Sequence, residues 1–271
     1  MAGVLISVDM EGVAGVVHPD HTGRDGIDYG LARSLMTGEA NAAIAGAFDA
    51  GAETVVVNDS HGTMRNLLPE ELDPRAMLIS GSPKPLLMMQ GVDEPGIEAA
   101  LCIGYHARAN SLGVIDHTIS SAFVRELRIN GEPASELDLN AGIAGAFDVP
   151  IVMLSGDDTA VAQAQQRVPG IETAIVKQAI NRYAARNSAP QPARDLIRIA
   201  TRRGIDRRGA IRPVRYEAPV TLSVTWAHSG VADRIEFMPG VVRTDSETTE
   251  YTSEDFVEAA RALFAMVMLA G

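Results

Sequence analysis

Short runs of β-branched and apolar residues alternate along this chain with longer alanine-rich stretches of helical period, and no other feature constrains the fold as strongly. VLISV (4–8), TVVVN (54–58), AMLIS (76–80), ALCIG (100–104) and IVMLS (151–155) are each bounded by Gly, Pro or Asp, as buried parallel strands are. Between the first two, Leu31, Leu35, Ala40, Ile44 and Phe48 recur mostly four apart, which predicts one face of a crossover helix ending near Gly51. Asn130-Gly131 predicts a tight hairpin, after which Ser135 is placed to cap a helix running toward Phe147. Residues 181–195 (NRYAARNSAPQPARD) look like a linker, and residues 253–269 like a final helix. The expectation is an α/β three-layer sandwich with a mainly parallel sheet over residues 1–190, followed by a smaller α+β domain over 191–271.

Charge and composition narrow the partners. Lys+Arg 23 against Asp+Glu 35 leaves a net charge of -12, so nucleic acid is not an expected partner. Cys102 stands alone, which excludes an internal disulfide and a cysteine-rich zinc site, so a metal would have to be held by His and carboxylates. The opening MAGVLISVDMEG lacks a basic n-region, and the apolar stretch 256–269 carries Glu258 and Arg261. Neither a leader nor a membrane span is expected, and the cytoplasm is the expected location.

In an open parallel sheet ligands gather beyond the carboxyl ends of the strands. The first strand runs into Asp9-Met10-Glu11-Gly12, the second into Asn58-Asp59-Ser60-His61 and the fourth into Gly104-Tyr105-His106. If the strand persists, Asp9 and Glu11 point the same way about 6.6 Å apart, close enough to share a metal. No Lys or Arg precedes Arg24, so a divalent ion is the simplest way to offset the cost of burying the pair. His61 and His106, either of which alone would pass as a hydrogen-bonded loop residue, add imidazole at the same sheet edge, and this is the donor set of catalytic zinc. His117 lies on the long segment 105–121 and is a candidate acid or base, or an orienting partner of His106.

Other residues carry less. Taken alone, Glu136 in a first helical turn serves the helix dipole. His18 and His21 have ligand-like spacing but sit around Pro19 in what looks like a flexible loop, and His228 is expected on a strand face. Asp157 and Asp158 are reserve ligands, or acceptors that orient a ligating imidazole. Arg108 could grip a substrate carboxylate or simply form a structural ion pair. No glycine-rich nucleotide motif follows a strand, and the nucleophile elbow of serine hydrolases is absent.

Taken together, Ser7-Val8-Asp9-Met10-Glu11-Gly12, Val57-Asn58-Asp59-Ser60-His61, Gly104-Tyr105-His106-Ala107-Arg108-Ala109, Asp116-His117-Thr118 and Glu136-Leu137-Asp138-Leu139-Asn140-Ala141 resemble the zinc-dependent D-aminopeptidase family, also called the dipeptide transport protein A family. The likeness continues through 78–85, 155–158 and Met238-Pro239-Gly240 and so spans essentially the whole chain. It implies two zinc ions per subunit, with Asp9 bridging, Glu11 and His106 completing one sphere and His61 and Glu136 the other. It also implies a direct catalytic role for His117 and a ring-shaped homodecamer enclosing a chamber that admits short peptides. Two such ions would activate water and polarise the scissile carbonyl. The rival expectations are a non-catalytic accessory to dipeptide uptake, which needs no metal, and a different two-metal hydrolase such as a phosphoesterase.

Overall fold

The computed structural model describes residues 3–271. In chain order the strands are β1 (Gly3–Val8), β2 (Thr54–Asp59), β3 (Met77–Ile79), β4 (Ile97–Tyr105), β5 (Val124–Ile129), β6 (Glu132–Pro133), β7 (Ile151–Asp157), β8 (Glu172–Asn181), β9 (Ala184–Asn187), β10 (Val220–Trp226), β11 (Val241–Arg243) and β12 (Thr248–Ser253). The helices are α1 (Pro19–Thr22), α2 (Tyr29–Asp49), α3 (Glu136–Ala146), α4 (Asp158–Arg167), α5 (Pro190–Asp206), α6 (Ser229–Ile235) and α7 (Phe256–Ala270). The five expected strands all form, and they lie side by side in parallel register in one seven-stranded sheet of order β3-β2-β1-β4-β7-β8-β9. Only β9 at its edge runs antiparallel.

From β1 the chain crosses over to β2 on one side, while β4 flanks β1 on the other. The strand order therefore reverses between β1 and β4, and the loops leaving their carboxyl ends diverge to open a crevice. Asp9 follows β1 directly, and His106 follows β4.

A second, five-stranded sheet has the order β11-β12-β10-β5-β6 and is antiparallel throughout. Its strands come from both sides of residue 190, because β5 and β6 belong to residues 124–133, and α5 returns to pack on α2 beside the main sheet. The boundary expected near residue 190 is therefore not the boundary between the two sheets. Pairing with β10 is what draws the 124–133 hairpin away from the parallel sheet.

Several local expectations need correction. The segment expected as a linker folds as the end of β8, the hairpin strand β9 and the start of α5, with Pro190 in the first helical turn, where a missing N–H is harmless. In α2 Ala40 and Ile44 are fully buried, but Leu31 is 58% exposed and the buried stripe runs instead through Ala32, Met36, Ala43 and Ala47. The helix is covered on two sides, by the sheet and by α5, so small residues rather than leucines set its packing. A Cβ on Gly46 would lie 2.5 Å from the Arg198 carbonyl oxygen of α5, which shows how closely the two backbones approach. His18 caps α1, accepting a hydrogen bond from the Asp20 N–H, so that segment is a short helix rather than an open loop. His228 occupies the N-cap position of α6 rather than a strand face. The hairpin at Asn130-Gly131 forms as expected, both residues having positive φ, and Ser135 makes a full capping box with Asp138.

Candidate metal centre

Three strand ends and one helix start bring Asp9, Glu11, His61, His106, His117 and Glu136 together, every one of them buried or nearly so. The loop after β2 is fixed by the Asp59 carboxylate, which accepts from the main-chain N–H groups of Asn66 and Leu67 and from Asn66 Nδ2; Nδ2 also donates to the His61 carbonyl. The loop after β1 is clamped from below by the fully buried Lys177, whose Nζ donates to the carbonyl oxygens of Glu11, Val13 and Val16. Glu136 occupies the first position of α3, next to the capping residue Ser135, and its Oε1 accepts from the Ile119 N–H at 2.7 Å.

Asp9 is the centre of the arrangement. Its Oδ1 lies 3.3 Å from His61 Nδ1, and its Oδ2 lies 3.5 Å from His106 Nε2. Glu11 Oε2 is 2.9 Å from His61 Nδ1, and Glu136 Oε1 is 3.4 Å from His106 Nε2. Two groups result: Asp9, Glu11 and His61 form one, and His106, His117 and Glu136 the other, with donor atoms in each within 4.8 Å of one another. Glu11 thus groups with His61 and Glu136 with His106, which differs from the pairing implied by the resemblance. Glu11 lies on the same loop as Asp9 and faces β2, while α3 delivers Glu136 to the β4 side.

Each imidazole is aimed by the backbone. His61 Nε2 meets the Thr22 carbonyl at 2.9 Å, His106 Nδ1 meets that of Ala107 at 3.0 Å, and His117 Nδ1 meets that of Ile115 at 2.9 Å. With those nitrogens donating, His61 Nδ1, His106 Nε2 and His117 Nε2 face the carboxylates as the nitrogens that would offer lone pairs to a metal, the arrangement by which an outer partner orients a metal ligand. Asp157 and Asp158 take no part in this. Asp157 caps α4 and accepts from the Val114 N–H, and Asp158 accepts from that of Ala179.

Without an ion, protons bear the charge. Burial, with the Glu11 charge next in weight, raises the Asp9 carboxyl to about 7. At Glu11 burial is outweighed by the charge of His61, which holds the carboxyl well below its usual range. At His106 burial opposes the positive charge, but the neighbouring Glu136 carboxylate raises the imidazole to about 10, and Glu11 acts on His61 in the same direction. His117 shifts down, through burial and then the charge of His106, on which it stacks at 4.1 Å with the rings only 9° from parallel. Asp9 Oδ2, Glu11 Oε2 and His106 Nε2 are nevertheless buried with no partner in hydrogen-bonding geometry. Orphaned oxygen and nitrogen donors that converge on one space fit a divalent cation.

Close packing leaves these loops little freedom. A Cβ on Gly12 would lie 2.0 Å from the Tyr105 carbonyl oxygen at the end of β4. Gly12→Ala is expected to destabilise the fold by about 1–3 kcal/mol by forcing the Glu11 loop off β4. Thermal unfolding with and without added zinc checks this, and zinc should recover less of the loss than it adds to the parent protein.

A cavity of about 470 Å³ opens over the cluster. Asp9, Glu11, His61, His117 and Glu136 line its polar side, and Met64, Leu87, Met88, Leu139 and Phe264 line an apolar wall with no counterpart in the expectations from sequence. Apolar wall residues read as ordinary core until the space beside them is seen. Arg108 is not among the lining residues, and its main-chain N–H donates to Gln163 Oε1 at 3.1 Å.

A mostly parallel sheet with a buried, two-part His–carboxylate cluster at its switch point defines an α/β protein with a metallohydrolase type of site. The D-aminopeptidase family (Peptidase_M55) matches residues 3–265, and the chain belongs to that family. It is 40% identical over 270 residues to the D-aminopeptidase of Bacillus subtilis (strain 168), covering 98% of this chain and 97% of the relative. It is also similar to a solved structure described as the Zn-dependent D-aminopeptidase DppA from Bacillus subtilis, a self-compartmentalizing protease. That likeness has a TM-score of 0.95 at 38% identity and covers 99% of this chain and 97% of the other.

Proposed function

We propose that the protein is a zinc-dependent aminopeptidase that removes the first residue of short peptides or amino-acid amides, D-amino-acid peptides foremost. The observation that carries the reading is Asp9, whose two oxygens face two separate His–carboxylate groups. Asp9 would hold both ions, Glu11 and His61 completing one centre and His106 and Glu136 the other. When bound, the two ions supply Lewis acidity and a water acidified toward neutrality. His117 Nε2 faces the cavity with its lone pair free, because Nδ1 is occupied by the Ile115 carbonyl. Its lowered pKa keeps it neutral, ready to take up a proton and return it to the departing amine. Glu136 lies 3.9 Å from His117 Nε2, close enough to stabilise the imidazolium formed between those two events.

Supporting the same reading are the family, the description of the DppA structure as Zn-dependent, and the fit of the orphaned donors to a cation. We extend it to assembly and location. A homo-oligomer, by resemblance a decamer, fits the self-compartmentalizing description of the DppA structure. Sedimentation velocity gives the subunit number. The proposed location is the cytoplasm; no helix among the described residues is long and apolar enough to cross a membrane.

The test is metal analysis of the purified protein together with a screen of D- and L-amino-acid amides and dipeptides. Chelation should abolish turnover and zinc restore it; turnover that survives complete metal removal would overturn the reading. Zinc loading should also release protons. His61 and His106 hold theirs at neutral pH when no ion is present and Asp9, raised to about 7, is about half protonated, so between about two and three protons per chain should appear in a weakly buffered titration at pH 7. Because those protons compete with the metal, affinity should rise with pH as both imidazoles approach their raised pKa values. Affinity independent of pH between 6 and 8 would exclude these two side chains as ligands.

A further inference from the structure

We propose that Met64, Leu87 and Ile119, together with Met88, form a built apolar subsite that receives the uncharged alkyl or aromatic side chain of the substrate's first residue. The proposal rests on the aminopeptidase reading and adds to it the class of residue accepted.

The backbone is the first observation. Among the described residues, seven other than glycine have positive φ, and Asn110, Asn130 and Asp148 are of the types that tolerate it. The other four are Met64 (φ 56), Leu87 (φ 55), Ile115 (φ 49) and Ile119 (φ 63), whose larger side chains are disfavoured there, the two β-branched isoleucines most of all. Three of those four line the cavity over the metal cluster. Costly backbone conformations persist where the surroundings over-determine them, and they collect at ligand clamps.

The surroundings here do over-determine them. The Met64 N–H donates to the His61 carbonyl at 2.7 Å, and the Met64 carbonyl accepts from the Gly81 N–H. Asn58 Nδ2 donates to the Leu87 carbonyl at 3.2 Å, Lys84 Nζ holds Asn58 Oδ1, and Ser60 Oγ donates to the Met88 carbonyl at 3.2 Å. The Ile119 N–H donates to Glu136 Oε1. The wall is thus tied to His61, to Asn58 near the end of β2, to Ser60 just beyond it and to Glu136, so that it stands in fixed register with the cluster. Burial of a polar network to hold three strained apolar residues beside an open space is hard to explain by core packing alone, because a filled core leaves no such space.

Chemistry selects the occupant. The wall offers thioether, alkyl and, from Phe264, aromatic surface, and among the described residues lining the cavity there is no Lys or Arg to pair with an acidic side chain. An alkyl or aryl group gains from burial there, whereas a carboxylate would be desolvated without a partner.

The experiment compares kcat/KM for the Gly, Ala, Leu, Phe and Asp amides, in the D and L series, in the parent protein and in Leu87→Gly and Met88→Ala, with zinc content measured on each. In the parent protein, Leu or Ala amide should exceed Asp amide by about 100-fold or more. Both variants enlarge the subsite, so the Phe-to-Ala ratio should rise about tenfold at unchanged zinc content. Met88 keeps the test open if glycine at position 87 prevents folding. Calorimetry of alaninol, leucinol and phenylalaninol, which carry the amine and side chain but no scissile bond, separates the two readings. Affinities ordered by side chain that shift in the variants would support the subsite even if no amide were cleaved, in which case the peptidase reading alone would fail. An unchanged ratio and side-chain-independent affinity in a protein that does cleave amides would overturn the subsite and leave the peptidase.

Discussion

Asp9→Asn should empty both proposed centres and lower turnover by ~10³-fold or more, since several kcal/mol of transition-state stabilisation depend on the metal and each 1.36 kcal/mol is a factor of ten. Asp9 is singular because its two oxygens face the two groups, at 3.3 Å from His61 and 3.5 Å from His106. Asparagine keeps the shape but loses the charge and one of the two anionic donors. Metal analysis after exhaustive dialysis, alongside kcat/KM, checks the prediction; a protein that retains zinc and full activity would remove Asp9 from the centre. The substitution should have a second effect, of opposite sign, on the ion-free fold. Burial raises the Asp9 pKa from 3.8 to about 7, so its carboxylate withdraws stability as pH rises across that window. Above pH 7 the chelated variant should therefore resist denaturant better than the chelated parent, and near pH 4 this advantage should vanish.

His117→Gln should lower kcat by about 10²- to 10⁴-fold, the range of a single proton-transfer group, while zinc content is retained. The stacked ring of His117 lies against His106, but the carboxylates nearest to His106 are those of Asp9 and Glu136, so the proposed ligands do not need it. His106→Gln should instead reduce bound zinc. Since burial holds the His117 pKa below 6.5, activity at saturating zinc should fall as pH drops through that region, and the limb should be missing from His117→Gln. Loss of zinc in His117→Gln along with activity would make His117 a ligand rather than an acid or base.

Much of this arrangement is legible in the order of residues. A strand that ends in Asp9-Met10-Glu11, another that leads to His61 and a third that leads to His106 mark one sheet edge as soon as the strands are taken as parallel, because a parallel sheet puts every carboxyl end on the same side. Glu136 is not legible in this way. An acidic residue beside a capping serine has a sufficient explanation in the helix dipole, and only the resemblance singles it out before the fold delivers α3 to the cluster. The outer partners of the imidazoles are equally hidden, since the carbonyls of Thr22, Ala107 and Ile115 belong to the backbone and leave no mark in side-chain identity.

By itself the chain's sequence determined the class of the main sheet, five of its six parallel strands and the donor types available at their ends, because periodicity and strand polarity are local properties that the residues carry with them. Which carboxylate meets which imidazole was decided in three dimensions, where the strand order reverses between β1 and β4 and α3 closes over the gap. The same holds for the second sheet, which recruits β5 and β6 by pairing β5 with the distant β10, Ile129 opposite Leu222. It holds too for the apolar wall, whose residues are unremarkable in sequence and gain a role only from the space left beside them. Long-range pairing depends on the relative energies of whole packed arrangements, and those are properties of the assembled fold rather than of any segment within it.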